Sequence, residues 1–226
     1  MRRIVGHRGL REKGTKENSL DSIKLALKKG IDIIEIDIQK TRDCLILRHD
    51  TRRFGLSIKK MRFNPKKFIS FDEALKVIPK TVTIIADIKI AGIEKELIAK
   101  LKGRKVIYFS HIKKVLLKIK RLDPQAKIGI YYINKVNLRA FLRRLRFVSK
   151  FLKIAKRYSA DIIAVPGPFV TKKLVDRAKK EGFELYIYGL FRKKYIKKAY
   201  ELGVYALEID KVKDLEYVKS LKSQPI

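Results

Sequence analysis

The last third of the chain reads DIIAV (161–165), TKKLVDRAKKE (171–181), ELYIY (184–188), RKKYIKKAYE (192–201) and VYALE (204–208). The short apolar runs have the length and the β-branched or aromatic content of buried strands. The longer charged runs between them have the length of helices. Strands that alternate with helices predict a parallel sheet covered by those helices. The same rhythm continues toward the N-terminus, with strands starting near residues 3, 32, 82, 105, 127, 161, 184 and 204 and a small extra strand over 44–48. Helices are expected at about 20–29, 71–77, 93–101, 112–121, 171–181, 192–201 and 212–221, the first capped by Asn18 or Ser19 and the second by Ser70. Residues 7–18 and 51–70 read as loops. Eight such units point to an α/β protein of the closed (β/α)8 TIM-barrel type. A doubly wound open sheet is the alternative. It is disfavoured because no Gly-x-Gly-x-x-Gly follows the first strand and no P-loop occurs.

With 226 residues and 46% hydrophobic content, the chain has material for one core, and 1–226 is read as a single domain. Lys and Arg number 56 against 23 Asp and Glu, a formal charge of +33. That balance favours anions as partners: nucleic acid, anionic lipid or phosphorylated substrates. A solvated, Lys-rich surface would give the same number. Cys44 is the single cysteine, which excludes an internal disulfide, and it reads as a core thiol. No apolar run resembles a signal peptide or a bilayer span, so a soluble cytoplasmic protein, with peripheral membrane contact as an option, is expected.

The rare chemistry lies between His7 and Asp50, as His7-Arg8-Gly9, Glu17-Asn18, Glu35-Ile36-Asp37 and His49-Asp50. Two of the three histidines are here. Glu35 and Asp37 are two apart on a strand, so their side chains share a face. Adjacent carboxylates repel, and a hard divalent cation, Mg2+ or Ca2+, would hold them together. Further candidates end other strands: Asp87 and Lys89, then Ser110 and His111. In a closed barrel those ends meet at one mouth, the face on which barrel enzymes work.

Together these fragments resemble the glycerophosphodiester phosphodiesterases, whose barrel is of the phospholipase C-like type. The resemblance rests on His-Arg-Gly after the first strand, Glu-Asn, Glu-x-Asp, His-Asp, and Asp87-x-Lys89 where that family has Glu-x-Lys. It departs late in the chain. The family's Trp-Thr-x-Asn stretch corresponds here to Tyr188-Gly189-Leu190-Phe191, and its late Thr-Asp to Ile209-Asp210. The resemblance implies a phosphoric diester hydrolase that releases sn-glycerol 3-phosphate and an alcohol. Attack comes from water, or from the substrate's own hydroxyl by way of a cyclic phosphate. It implies His7 and His49 as general acid and base, in an order the residues leave open. It implies Glu35, Asp37 and Asp87 as metal ligands, and Arg8 and Lys89 as phosphate-binding cations. Glu17 and Asn18 would support the first loop or the ligands, Ser110 and Tyr188 would support the site or line its pocket, and His111 would either line the pocket or begin a helix and face water. Lysophospholipase D-like cleavage of lysolipids is an alternative within the family. A phosphate- or nucleic-acid-binding protein on a decayed barrel is the alternative outside it, and no specific nucleic-acid partner is expected.

The segment 133–158 stands apart. It contains no acid, and it sets Leu138, Phe141, Leu142, Leu145, Val148, Leu152 and Ala155 against many Lys and Arg. Residues 136–146 are read as a contact for an anionic membrane or a lipid tail, with packing on the barrel as the equal alternative and RNA binding as the lesser one. Val148 to Ala155 reads as the fifth outer helix.

Overall fold

A computed structural model describes residues 3–50, 52–53, 56–131 and 144–222. Eight parallel strands lie side by side: β1 (Arg3–Arg11), β2 (Ile33–Lys40), β3 (Thr83–Ile88), β4 (Val106–Phe109), β5 (Lys127–Tyr131), β6 (Ile162–Pro166), β7 (Glu184–Tyr188) and β8 (Ala206–Lys211). Each pairs with its sequence neighbour, and β8 also pairs with β1, so the sheet closes on itself as a (β/α)8 TIM barrel. Among the described residues the strands are followed by α1 (Leu20–Lys28), α2 (Phe71–Val77), α3 (Glu94–Leu101), α4 (Lys113–Leu122), α5 (Arg144–Arg157), α6 (Lys172–Lys180), α7 (Lys193–Glu201) and α8 (Val212–Lys222). None of these helices is long and apolar enough to cross a membrane.

Period-two alternation divides the strands' side chains into two sets. Ile34, Ile36, Ile38, Ile84, Ala86 and Ile88 face outward and pack with the helices in the main core. Val5, Ile33, Ile85, Ile107, Phe109, Ile162, Ala164, Tyr186 and Ala206 face inward and fill the barrel. Burial of each large apolar side chain contributes roughly 1.5–3 kcal/mol. The interior is full: a Cβ on Gly129 of β5 would lie 2.0 Å from Cζ of Phe109.

Several expectations change. β1 continues to Arg11, with a shift in its register against β8 between Gly6 and Arg11, so the predicted loop 7–18 is half strand. β8 runs over Ala206–Lys211 rather than 204–208. Its acidic residues are not a strand end, because Glu208 and Asp210 find donors inside the barrel, described below. The stretch read as a loop over 51–70 holds a small pairing of Arg52–Arg53 with Leu56–Ser57, a single 3-10 turn at Ile58–Lys60, and a short strand Ile69–Ser70. That strand pairs with Leu45–Leu47, which in turn lies antiparallel to β2. Ser19 caps α1 and Ser70 caps α2, each in a reciprocal capping box. In α5, Phe151, Leu152 and Ala155 are buried, as an outer barrel helix requires. The proposed membrane contact at 136–146 falls mostly within 132–143, outside the described residues.

Candidate active site

The inward rows that are apolar low in the barrel become polar toward the C-terminal ends of the strands. Two residues beyond Val5 comes His7, and beyond Ile33 come Glu35 and Asp37. Beyond Ile85 comes Asp87, beyond Tyr186 comes Tyr188, and beyond Ala206 come Glu208 and Asp210. Register then sets the neighbours, with His7 opposite Glu35 and Asp37 opposite Asp87. Carboxylate oxygens of Glu35, Asp37 and Asp87 lie within 4.8 Å of one another. All three residues are buried.

The contacts of this cluster are nearly all cationic or donating. Asp37 Oδ2 accepts from Asn18 Nδ2 at 2.8 Å and lies 2.8 Å from Arg8 Nε. Lys89 Nζ sits 2.8 Å from Asp37 Oδ1, off the hydrogen-bonding direction, and donates to Asp87 Oδ2 at 2.6 Å. Tyr131 Oη donates to the same Asp87 oxygen at 2.8 Å. Glu35 Oε2 accepts the Arg8 backbone N–H at 2.8 Å. Burial, reinforced by Asp37, pushes the Glu35 carboxyl well above its usual range. Burial also opposes charge on Asp37, but Lys89 and Arg8 outweigh it and hold that carboxyl below its usual value. Asp87 Oδ1 is buried without a hydrogen-bond partner among the described residues, and Asp37 Oδ1 meets the Lys89 ammonium. Buried acceptors without donors are costly. Three convergent carboxylates, one with such an oxygen, fit a hard divalent cation of the Mg2+ or Ca2+ type.

Arg8 and Lys89, expected to bind phosphate, thus stand against the carboxylates themselves. Arg8 takes the left-handed conformation at φ 56°, and Gly9 follows at φ 86°. A Cβ on Gly9 would lie 2.6 Å from the backbone carbon of Ser22, so only glycine lets β1 pass α1 here. Arg8 Nη1 reaches Glu17 Oε1 at 2.7 Å. Asn18 also accepts the Asp37 backbone N–H at 3.2 Å. It therefore supports a ligand, as one of its two sequence readings had it, and leaves the helix cap to Ser19.

A second group surrounds His7. Its Nδ1 lies 2.6 Å from Asp210 Oδ1 and 3.9 Å from Glu208 Oε1. Burial opposes charge on the imidazole, but Glu208, the Asp210 hydrogen bond and Glu35 outweigh it and raise the His7 pKa to about 10. Arg11 Nη2 donates to the other Asp210 oxygen at 2.9 Å, and Arg11 Nη1 to Glu17 at 3.4 Å. Glu208 accepts from the Tyr186 hydroxyl and, at 3.3 Å, from the Gly189 N–H. Glu208, Arg11 and Tyr131 were missed from sequence, and Asp210 was noted only as a remnant. Their signal is positional, since each falls on an inward row once the strands are extended.

The remaining predicted residues divide. His49 is not seated among the carboxylates. It is exposed, its Nδ1 meets Asp50 Oδ1 at 3.1 Å, and Gln39 Nε2 donates to its carbonyl at 3.2 Å. It lines a groove of about 540 Å3 together with Glu17 and Asn18, which connects it to the site. Of its two readings Ser110 takes the supporting one: buried, it donates to the Ile88 carbonyl at 2.6 Å and accepts the Ile112 N–H at 3.0 Å, which fixes the end of β4. His111 is exposed and stacks on Tyr131 with ring centroids 4.4 Å apart. Burial of its ring nevertheless lowers its pKa. Tyr188 packs edge-on to Tyr131 at 5.6 Å, and burial, with Glu208, raises its hydroxyl to about 12.

Residues 7–57 match the model of the glycerophosphoryl diester phosphodiesterase family. The glycerophosphodiester phosphodiesterase GDPD2 of Arabidopsis thaliana is 41% identical over a stretch covering 21% of this chain, and that stretch spans 16% of the plant protein's length. Three solved structures share the fold across the chain. A glycerophosphodiester phosphodiesterase from Thermotoga maritima superposes with a TM-score of 0.76 at 19% identity, covering 99% of each chain. One from Agrobacterium tumefaciens gives 0.77 at 19%, covering 97% of this chain and 100% of the other. An Oleispira antarctica phosphodiesterase, in complex with the product sn-glycerol-3-phosphate, gives 0.75 at 18%, covering 98% and 97%. In its first quarter the chain therefore resembles the glycerophosphoryl diester phosphodiesterase family in sequence, and as a whole it is folded like the phosphodiesterases of that name.

Proposed function

We propose that the protein hydrolyses glycerophosphodiesters to sn-glycerol 3-phosphate and an alcohol, with a divalent cation held by Glu35, Asp37 and Asp87. The observation that carries this reading is the convergence of three buried carboxylates, with the Asp87 Oδ1 oxygen lacking a hydrogen-bond partner among the described residues, beside a histidine whose pKa its acidic neighbours raise. The bound cation would supply electrostatic stabilisation to the phosphoryl oxygens. Lys89 and Arg8 add positive charge at the same place, Lys89 as a point charge and Arg8 through its planar fork.

Each histidine has a carboxylate on Nδ1, Asp210 for His7 and Asp50 for His49, which orients the ring and leaves Nε2 for proton transfer. His7 is the proton donor in this reading, because Glu208 and Asp210 favour its protonated form. His49, reached from solvent, accepts the proton of the attacking water. The water oxygen bonds to phosphorus as the bond from phosphorus to the leaving alcohol breaks, and His7 gives that alkoxide its proton. The chemistry named for the Oleispira antarctica structure, a phosphodiesterase with sn-glycerol-3-phosphate as product, supports this choice of substrate class. Incubation with a panel of glycerophosphodiesters and lysolipids, with product identification by phosphorus NMR, tests it. Metal-supported release of sn-glycerol 3-phosphate is expected. Lysophosphatidate from lysolipids, with glycerophosphodiesters left intact, would replace the reading with lysophospholipase D chemistry.

A further inference from the structure

A second cavity of about 490 Å3 opens where the barrel closes, between the end of β1 and the end of β8. Arg11, Lys13, Lys211 and Lys213 line it, with Glu12 as the one acid. Arg11 and Lys211 are Cα partners at the irregular end of the β1–β8 pairing, so four cations and one acid share this corner of the barrel. Asp210 and Glu17 offset the Arg11 charge. Lys13, Lys211 and Lys213 are exposed, and no ion pair ties them down among the described residues. Arg11 Nε is buried without a hydrogen-bond partner among the same residues. The cavity also has a defined relation to the chemistry. Arg11 and His7 bind opposite oxygens of one carboxylate, Asp210. The cavity is therefore linked to His7 across the Asp210–Arg11 pair, and Arg11 is the member of that chain that lines it.

We infer that this cavity receives the leaving alcohol and favours one that carries an anionic group of its own, such as a phosphate monoester. The inference rests on the hydrolytic reading above and on His7 as its proton donor. An anion between Lys13, Lys211 and Lys213 would relieve the unbalanced charge at the β1–β8 seam, and the lysines can bind it as point charges. The groove beside His49 lies on the side from which water attacks, so it does not compete for the leaving group.

A matched substrate pair tests the inference: glycerophosphoglycerol, whose leaving alcohol is neutral, and the same diester with a phosphate monoester on the terminal hydroxyl. The wild-type protein should show a kcat/KM about tenfold higher for the phosphorylated diester, the sum of a few exposed charge contacts. Lys13→Gln/Lys211→Gln/Lys213→Gln should bring that ratio near one. Lys173→Gln/Lys179→Gln/Lys180→Gln on α6 removes the same charge from the outer wall and should keep the ratio. A wild-type ratio near one overturns the inference while the hydrolytic reading stands. So does an equal fall in both triple variants, because the preference would then belong to the +33 surface as a whole. If neither diester is cleaved, the hydrolytic reading fails, and calorimetry with the uncleaved pair still decides the pocket. A preference lost only in the cavity variant supports anion binding there, and equal affinities overturn it.

Discussion

His7 owes its charge to its neighbours. In water its imidazole would be half protonated near pH 6.5, and burial alone would lower that point, yet Glu208, Asp210 and Glu35 bring it to about 10. Asp210→Asn removes both a hydrogen bond and a charge that favour the protonated ring, so the His7 pKa must fall. A group that acts as a proton donor loses activity above its pKa. The alkaline limb of kcat/KM should therefore move to lower pH in Asp210→Asn, and an unmoved limb would separate Asp210 from the proton donor. His7→Ala and His49→Ala should each lower kcat by about 10²–10⁴-fold, the usual worth of positioned proton transfer, with circular dichroism unchanged. His49 is the sharper case because it stands outside the carboxylate cluster. Wild-type kcat in His49→Ala would leave its groove a binding feature only.

At the scale of the strand, function and folding share one alternating row. The interior of β5 shows how little slack that row has: Gly129 makes room for the Phe109 ring. Gly129→Ala should destabilise the protein by about 1–3 kcal/mol or more, read as a lowered midpoint of denaturant unfolding, since overpacking forces the ring off its rotamer. An unchanged midpoint would mean the ring can yield. The same row explains what was legible beforehand. Glu35 and Asp37 were readable because an acid-x-acid pattern inside an isoleucine run has no other good explanation than a shared face. Asp87 and Lys89 were readable from their place at the next strand end and from the resemblance of Asp-x-Lys to the family's Glu-x-Lys. Glu208 and Tyr131 were not. Glu208-Ile209-Asp210 repeats the acid-x-acid pattern of β2, but ending the strand at residue 208 hid it, and a tyrosine in an apolar strand looks like core. Only the register, which places Glu208 against the Tyr186 hydroxyl and Tyr131 against Asp87, turns them into parts of the site. Lys89 follows the end of its strand as read, whereas Arg8 lies inside the longer β1, and the partners of both were not foreseen because distance between a cation and a buried carboxylate depends on closure of the barrel.

On the scale of the whole molecule, closure from β8 to β1 is what brings residues 7 and 210 within hydrogen-bonding distance. The chain as a whole carries a formal charge of +33. Such a field attracts an anionic diester and is screened by salt, with a Debye length of about 10 Å at 0.1 M. kcat/KM should fall several-fold between roughly 0.05 M and 0.5 M salt, where the Debye length shrinks accordingly, while kcat changes little. Salt-independent kcat/KM would assign the charge to solvation rather than substrate capture. The central claim, that Glu35, Asp37 and Asp87 hold the cation on which phosphodiester cleavage depends, is tested most directly by turnover in metal-stripped protein. Release of sn-glycerol 3-phosphate should be absent after chelation and return on titration with Mg2+ or Ca2+ in wild-type protein but not in Asp37→Asn; full turnover by thoroughly stripped wild-type protein would contradict the account.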